Sequence, residues 1–387
     1  MPPFRLLSGS APSIQAHPMT RRLLALILAW PVTGLMAQAS PQPDFSKVKE
    51  TIQQWVNKHY YTGASLWVAQ DGNLLCEAYF GDAKPDTVVY IASAGKWLAA
   101  AAIAAVVDEG KLAWDDPASK WIPELGGTKG RATLRQLLSH TAGYPAYQPA
   151  DQPTDNYQTL SESVARLLPL PSDHRPGERF VYGGLAMQVA GRMAEHATGK
   201  DWESLFQEKI ARPLEMKDTR FTPVDTQSGG HAPMLAGGAG CTLRDYANFL
   251  EMIARDGEFH GQRVLSKEAV REMQADQVRG ARVQTSAEFV ARARGAQHAA
   301  IYGLGEWREE LDKNGQALLI SSPSWAGTYP WIDKTTGVQG ILLAHVDVRG
   351  PATRDKFNSF YASPVLPVLV REALEAKRDK KQAGLCP

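Results

Sequence analysis

The feature that most constrains the fold is the placement of strand patterns at both ends of this 387-residue chain, with helical patterns between them. Near the start, apolar runs at 64–69 and 74–80 flank an Asp71-Gly72 pair, which predicts a β-hairpin. Near the end, residues 317–321, 328–332 and 338–346 are rich in β-branched and apolar side chains, which is typical of strands. Strands separated so widely in the chain predict one sheet built from both ends.

The middle of the chain has helical periodicity, interrupted by Pro- and Gly-rich loops, and a further helix is predicted over about 364–381. The predicted fold class is α/β (α+β), with an antiparallel sheet from about 61–92 and 300–350, flanked by helices, and a helical lobe from about 93–260 inserted between. A cleft is expected where lobe and sheet meet. The predicted helices of the middle region are 94–110, 133–139, 159–168, 185–198 and 201–210.

Residues 1–39 have the pattern of a secretory signal peptide, with Met19 a possible start. Arg21 and Arg22 precede an apolar run over 23–36, and Ala-Gln-Ala at 37–39 resembles a cleavage site. The run is too short to span a bilayer. We therefore expect a periplasmic or secreted protein without a stable membrane span after cleavage, with residues 40–387 forming a single domain.

The net charge, the missing cofactor motifs and the small number of cysteines limit the partners and cofactors that we expect. The net charge is +1 and no basic block suggests a nucleic-acid partner, so the expected substrate is a small molecule. No phosphate-binding, dinucleotide-binding or zinc motif is present, and no cofactor or metal is predicted. Cys76, Cys241 and Cys386 are too few for a disulfide scaffold. The sequence predicts neither their pairing nor an oligomeric state.

Ser93 and Lys96 are the first candidate catalytic pair. They stand three residues apart at the start of an Ala-rich helix, so their side chains share one face. A serine hydroxyl needs a nearby base, and burial lowers the pKa of a lysine toward neutrality. The same spacing occurs at Ser46 and Lys49, but in a polar segment that predicts a solvated helix face.

From Ser93 onward a series of segments stands in order with compatible spacing: SAGK at 93–96, VVDEGKL at 106–112, LLSHTAG at 137–143, PGERFVY at 176–182, PLEMKDT at 213–219 and AGGAGCT at 236–242. In these segments the chain resembles the class C β-lactamase-related and penicillin-binding-protein-like serine hydrolases, a family that includes esterases and D,D-peptidases. The resemblance extends over about 45–350 and implies a β-lactamase/transpeptidase-like fold and acyl-enzyme chemistry on Ser93.

The family's second motif is Tyr-x-Asn, and Tyr182 falls on its tyrosine. The resemblance implies that Tyr182, held near Lys96, serves as general base for Ser93 and then as acid toward the leaving group. Gly184 stands where the family has asparagine, so the amide that holds substrate is absent there. His140, in the LLSHTAG segment, is interpreted as structural.

The family's third motif, Lys-Thr-Gly or His-x-Gly, falls on Ser322-Pro323-Ser324, which brings no cation. The resemblance implies substrate contacts from Gly184, Ser322 and Ser324. It also implies an oxyanion hole formed by the backbone N–H groups of Ser93 and Trp325.

The predicted function is hydrolysis of ester or amide bonds in a small substrate, because carboxylate-bearing β-lactams would lose a charge-assisted contact here. Two alternatives remain open. One is a slow-turnover penicillin-binding or D,D-peptidase-like protein, and the other is a non-catalytic binding module of the same fold.

Overall fold

The computed structural model describes residues 42–148, 159–221, 234–283, 287–295, 298–347 and 349–383. The predicted signal peptide at 1–39 and Cys386 lie outside the described residues. Cys76 and Cys241 are buried and free.

The described part of the chain contains six strands that form one antiparallel sheet and six shorter strands that pair elsewhere. In chain order the strands are β1 (Tyr61–Gln70), β2 (Asn73–Gly81), β3 (Val89–Tyr90), β4 (Arg179–Phe180), β5 (Gly240–Cys241), β6 (Glu258–Phe259), β7 (Gln262–Arg263), β8 (Arg282–Val283), β9 (Trp307–Leu311), β10 (Ala317–Ser321), β11 (Gly327–Asp333) and β12 (Val338–Val346).

The main sheet has the order β2-β1-β12-β11-β10-β9, so β1 from one end of the chain pairs with β12 from the other. This confirms the antiparallel sheet predicted from the sequence. The β1–β2 hairpin also forms as predicted, because Asp71 and Gly72 take the positive φ angles, 50° and 81°, that its tight turn requires. The middle of β1 is buried on both faces: Leu66 and Val68 join one core and Trp67 and Ala69 the other.

The predicted helices form close to their expected bounds, except that the helix predicted over 201–210 is α-helical only in its first half and continues as a π-helix over Gln207–Ala211. The described α-helices are α1 (Ser46–Asn57), α2 (Gly95–Asp108), α3 (Ala118–Trp121), α4 (Gly127–Arg131), α5 (Leu134–Leu138), α6 (Leu160–Leu167), α7 (Leu185–Thr198), α8 (Trp202–Phe206), α9 (Leu243–Ala254), α10 (Lys267–Gln274), α11 (Ala287–Arg294), α12 (Pro351–Arg354), α13 (Ser359–Ala362) and α14 (Val365–Ala383).

Helix α2 passes through the larger core, and its residues from Gly95 to Val106 are all buried. Its run of alanines lets α7, α8 and α10 pack closely around it, as expected for a helix that is apolar on every side. The residues that begin this helix are therefore held rigidly at the boundary between the helical lobe and the sheet. Among the described residues, no helix is both long and apolar enough to cross a membrane.

Several elements were missed by the sequence analysis, among them strand β9 and helix α9. Strand β9 lacks an apolar pattern because it carries buried Glu309, whose carboxylate is bound by Arg294 at 2.7 Å and by the Tyr329 hydroxyl at 2.8 Å. Helix α9 lies against the site, where the Tyr246 hydroxyl donates a hydrogen bond to the carbonyl of Ala94 at 2.8 Å.

Candidate active site

Ser93 lies in a 3₁₀ turn, Ala92–Ala94, that leads directly into α2. Ala92 has a φ of 44°, a left-handed conformation that is costly for a residue with a side chain and that recurs at functional sites. The Tyr246 hydroxyl bond to Ala94 and a backbone bond from Ile91 fix this turn from two sides. The hydroxyl of Ser93 is thus presented at the helix N-terminus, where free N–H groups favour negative charge.

Lys96 is 2% exposed, and its Nζ lies 3.0 Å from Ser93 Oγ and 2.7 Å from the carbonyl oxygen of Ala236. Burial lowers the pKa of Lys96 to about 7. A neutral amine is therefore well populated near neutral pH, and its lone pair lies within reach of the Ser93 proton. The structure thus brings together the two residues that the helix-start pattern predicted.

Tyr182 lies beside both residues, with its ring centroid 4.7 Å from Lys96 Nζ. Burial raises the pKa of Tyr182, and a hydrogen bond with Ser93 opposes that rise only in part. The side chain is therefore a phenol, able to donate a proton but poorly suited to accept one. Its ring packs against His140 at 4.7 Å and Trp307 at 5.2 Å between centroids.

His140 supports this tyrosine from behind. Its ring is buried, its Nε2 lies 3.2 Å from the hydroxyl of Tyr302, and it also packs on Phe180. Burial and the nearby Lys96 hold the pKa of His140 well below its usual range, so the ring is neutral. These contacts support the structural role that the sequence analysis gave it.

Gly184 lines the cavity in front of Ser93 but brings no amide. The Gly183-Gly184 pair passes very close to Ala146: the Gly184 N–H donates to its carbonyl at 2.8 Å. A Cβ on Gly183 would lie 2.4 Å from that oxygen, so this position requires glycine. A Cβ on Gly184 would lie 3.2 Å from the Cβ of Ala236.

The serines of the third motif lie beside the nucleophile, but their hydroxyls bond within the protein. Ser322 Oγ donates to the carbonyl of Gly305 at 3.2 Å, with the carbonyl of Ser93 at 3.4 Å. Ser324 Oγ accepts a bond from the N–H of Ala326 at 3.0 Å. Both serines are buried and neither lines the cavity. Their predicted role in substrate binding, and the oxyanion role of Trp325, stay predictions.

The cavity in front of Ser93 has a volume of about 370 Å³. Two aromatic side chains stand exposed at its rim, Tyr147 at 60% and Trp325 at 52%. Among its described lining residues, Lys96 is the one with a cationic form. The lining residues are Tyr90, Ser93, Lys96, Tyr147, Gln148, Gly184, Leu185, Gln188, Met234, Ala236, Gly237 and Trp325.

Several lining residues of this site were missed by the sequence analysis, among them Tyr147, Gln148, Gln188 and Ala236. Gln148 is 8% exposed, and neither atom of its side-chain amide has a hydrogen-bond partner among the described residues. Ala236 stands in a segment, 236–242, that the sequence analysis noted without giving it a role. No local pattern distinguishes the two glutamines. Among the described residues, no group of three or more His, Cys, Asp or Glu side chains could hold a metal ion.

Comparison with known proteins shows the family to which the chain is similar. A family model described as Beta-lactamase matches residues 48–360. A solved structure of a Bacteroides dorei protein assigned to the β-lactamases is 50% identical, with a TM-score of 0.82, covering 86% of this chain and all of that one. A family VIII carboxylesterase, 18% identical, shares the fold with a TM-score of 0.64 over 88% of this chain and 99% of its own.

Among curated proteins, the D-alanyl-D-alanine-carboxypeptidase/endopeptidase AmpH of Escherichia coli K12 is 30% identical over 54% of this chain and 59% of its own length. The chain thus spans somewhat over half of that relative. Esterase EstB of Burkholderia gladioli is 24% identical over 82% of this chain and 95% of its own length. With the family model matching most of the chain and Ser93 in contact with Lys96, the chain belongs to the β-lactamase family.

Proposed function

We propose that this protein is a serine hydrolase that forms an acyl-enzyme on Ser93 and cleaves an ester or amide bond of a small, weakly charged substrate. The observation that carries the proposal is the contact between Ser93 Oγ and Lys96 Nζ, 3.0 Å apart, in surroundings that lower the pKa of the lysine to about 7. A serine paired with a neutral amine at neutral pH is an activated nucleophile.

The proton transfers follow from the lowered pKa of Lys96 and the raised pKa of Tyr182. Neutral Lys96 accepts the Ser93 proton as Oγ attacks the substrate carbonyl, and the backbone N–H groups of Ser93 and Trp325 bind the oxyanion. Tyr182, a phenol by its raised pKa, donates to the leaving group as the scissile bond breaks, and is reprotonated from Lys96. Water then attacks the acyl-enzyme ester, its proton passing to Lys96, and the acid leaves as Ser93 recovers its proton.

The lining of the cavity favours a substrate with an uncharged acyl group. Apart from Lys96, its described lining brings no cation, so a substrate carboxylate would be desolvated there without a charged partner. Tyr147 and Trp325 offer apolar faces at the rim. The amide of Gln148, which has no partner in the part of the chain that the structure describes, supplies a donor and an acceptor for a carbonyl or amide of the substrate. Together these features favour esterase or peptidase action over efficient β-lactam hydrolysis.

A slow-turnover penicillin-binding protein is the second candidate. It is favoured by Gly184 and Ser322, which supply neither the amide nor the cation that would position a peptide-like substrate. Such a protein would acylate Ser93 and release product slowly. The intact Ser93–Lys96 pair supports both of these functions over a non-catalytic binding module.

The hydrolase and the slow-turnover protein differ in whether product is released continuously, so a turnover assay distinguishes them. We expect p-nitrophenyl butyrate to be hydrolysed continuously, nitrocefin to be hydrolysed much more slowly, and Ser93→Ala to lose both activities. A burst of one equivalent of product followed by no further release would instead support the slow-turnover protein. Ester hydrolysis retained in Ser93→Ala would overturn the proposal.

We also propose that the protein is exported. The proposal rests on the pattern at 19–39, with two arginines, an apolar run and Ala-Gln-Ala before Ser40. Amino-terminal sequencing of the protein from a periplasmic fraction should give a chain that begins near Ser40. A full-length chain recovered only from the cytosol would contradict it.

A further inference from the structure

Lys96 has two hydrogen-bond partners, and the second lies on a separate segment. The carbonyl of Ala236, 2.7 Å from Lys96 Nζ, is closer than Ser93 Oγ at 3.0 Å. A carbonyl accepts hydrogen bonds only, so it takes an N–H of the neutral amine and fixes how the remaining lone pair is directed. The position of Ala236 therefore bears on whether that lone pair faces the Ser93 hydroxyl.

The segment that carries this carbonyl lies on one face of α7. Gly184, Gln188 and Gly191 stand at the spacing i, i+4 and i+7, so they share a helix face. A Cβ on Gly191 would lie 2.3 Å from Leu235 Cδ2, and one on Gly184 would press on Ala236 Cβ at 3.2 Å. The two glycines thus leave the space in which residues 235 and 236 lie.

Gln188, between the two glycines, bonds that segment directly. Its Oε1 accepts a hydrogen bond from the backbone N–H of Leu235 at 2.9 Å, one residue before the carbonyl that binds Lys96. Its Nε2 donates to Ser163 Oγ of α6 at 3.1 Å. The side chain is 4% exposed, so both bonds are shielded from water and the amide is held in one orientation.

We propose that Gln188 is a positioning residue for the nucleophile: through the N–H of Leu235 it holds the Ala236 carbonyl in place, and that carbonyl directs Lys96 toward Ser93. The inference rests on the proposed function of Ser93 and Lys96. The same arrangement explains Gly184. Because position 184 has no side chain, there is room for Ala236 beside it, and a side chain at position 184 would displace the Ala236 carbonyl from Lys96.

The test is the rate of Ser93 labelling by a fluorophosphonate probe, measured from about pH 5 to about pH 9 in wild type and Gln188→Met. Methionine matches the shape of glutamine but cannot accept the Leu235 bond. We expect the plateau rate to fall about 10- to 100-fold, because small misplacements of a catalytic group cost that much. Since the acceptor stabilises the protonated lysine, its displacement should also move the acidic limb of the profile to lower pH.

The shift of the acidic limb is the readout that separates positioning from a general loss of structure, which lowers the plateau alone. Gly184→Ala provides a second variant in case Gln188→Met folds poorly, because Gly184 has a φ of −115° that alanine adopts freely. It should produce both effects, and Gly184→Asn should do so more strongly. Thermal melting shows which variants are folded.

Gln339→Met is the matched control. Gln339 is also a buried glutamine, 5% exposed, and its amide donates to the carbonyl of Gly337 at 3.0 Å in the hairpin between β11 and β12. It does not line the cavity, so its labelling profile should equal that of wild type.

The outcomes are distinguishable. If folded Gln188→Met and Gly184→Ala keep the wild-type plateau and acidic limb while Ser93→Ala and Lys96→Met abolish labelling, the positioning role is overturned and the proposed function stands. If Ser93→Ala or Lys96→Met still labels at the wild-type rate, the proposed function itself fails. A lower plateau with an unmoved acidic limb would also contradict the positioning role.

Discussion

Two groups of active-site residues differ in what their polar atoms contact. Around the start of α2, Ser93, Lys96 and Tyr182 contact one another, and Lys96 is buried with a second partner for its amine. At the positions of the second and third motifs, Gly184 has no side chain and the Ser322 hydroxyl bonds to backbone carbonyls. The proposed function therefore has every group it needs for proton transfer, whereas recognition of the substrate is left to the apolar rim. On this proposal, chemistry and recognition are separable.

The largest effect should come from the α2 side. In Lys96→Met the buried amine is replaced by a thioether that cannot take the Ser93 proton. We expect acylation by p-nitrophenyl butyrate to fall about 10³-fold, within the range for loss of a general base. The rate constant is measured by stopped-flow release of p-nitrophenol, with thermal melting as the check on folding. A loss of less than tenfold would mean that another group activates Ser93.

Tyr182→Phe should have a smaller effect that depends on the leaving group. The phenol is expected to protonate the leaving group, so its loss should cost about 10²-fold with an alkyl ester or amide. The loss should be much smaller with p-nitrophenolate, which leaves without a proton. Comparison of ethyl and p-nitrophenyl butyrate checks this, and His140 should keep the phenyl ring in place. Equal losses with both esters would assign Tyr182 to a different step.

The pH profile should show a single acidic limb. Burial lowers the pKa of Lys96 to about 7, and only the neutral amine accepts the proton, so kcat/KM should fall by about tenfold per pH unit below that value. Above it the rate should be flat until other groups titrate, because Tyr182 with its raised pKa stays protonated. An acidic limb near pH 4 would instead indicate a carboxylate base.

Substitutions at the rim of the cavity should have the smallest effect, and they should change KM instead of the rate of acylation. Trp325→Ala removes an exposed aromatic face from the rim, so KM for p-nitrophenyl butyrate should rise about threefold to tenfold with kcat little changed. Tyr147→Ala should act in the same way. A large fall in kcat in either variant would show that the rim also stabilises the transition state. Proton transfer and substrate recognition would then not be separable.

Much of the fold could be predicted because it depends on residues that are close together in the sequence. The Asp71-Gly72 turn, the alanine-rich run before Gly110 and the apolar strand 338–346 each follow from spacing and composition over short windows. Ser93 and Lys96 lie within one helical turn, so their contact follows from the helix itself. These features need no knowledge of the tertiary structure.

The rest of the site could not be predicted because it joins distant segments. Gln188 and Leu235 are 47 residues apart, and Lys96 and Ala236 are 140 residues apart. The inward bonds of Ser322 depend on Gly305, at the end of a loop whose path no local pattern determines. The left-handed Ala92 is likewise imposed by packing, since alanine has no preference for that conformation.

Activation of Ser93 can be measured from the intact mass of the mature protein after treatment with a fluorophosphonate probe, beside Ser93→Ala. We expect one adduct on the wild type, with loss of fluoride, and none on the folded variant. An adduct of equal yield on Ser93→Ala, or no adduct on folded wild type, would contradict an activated nucleophile at Ser93.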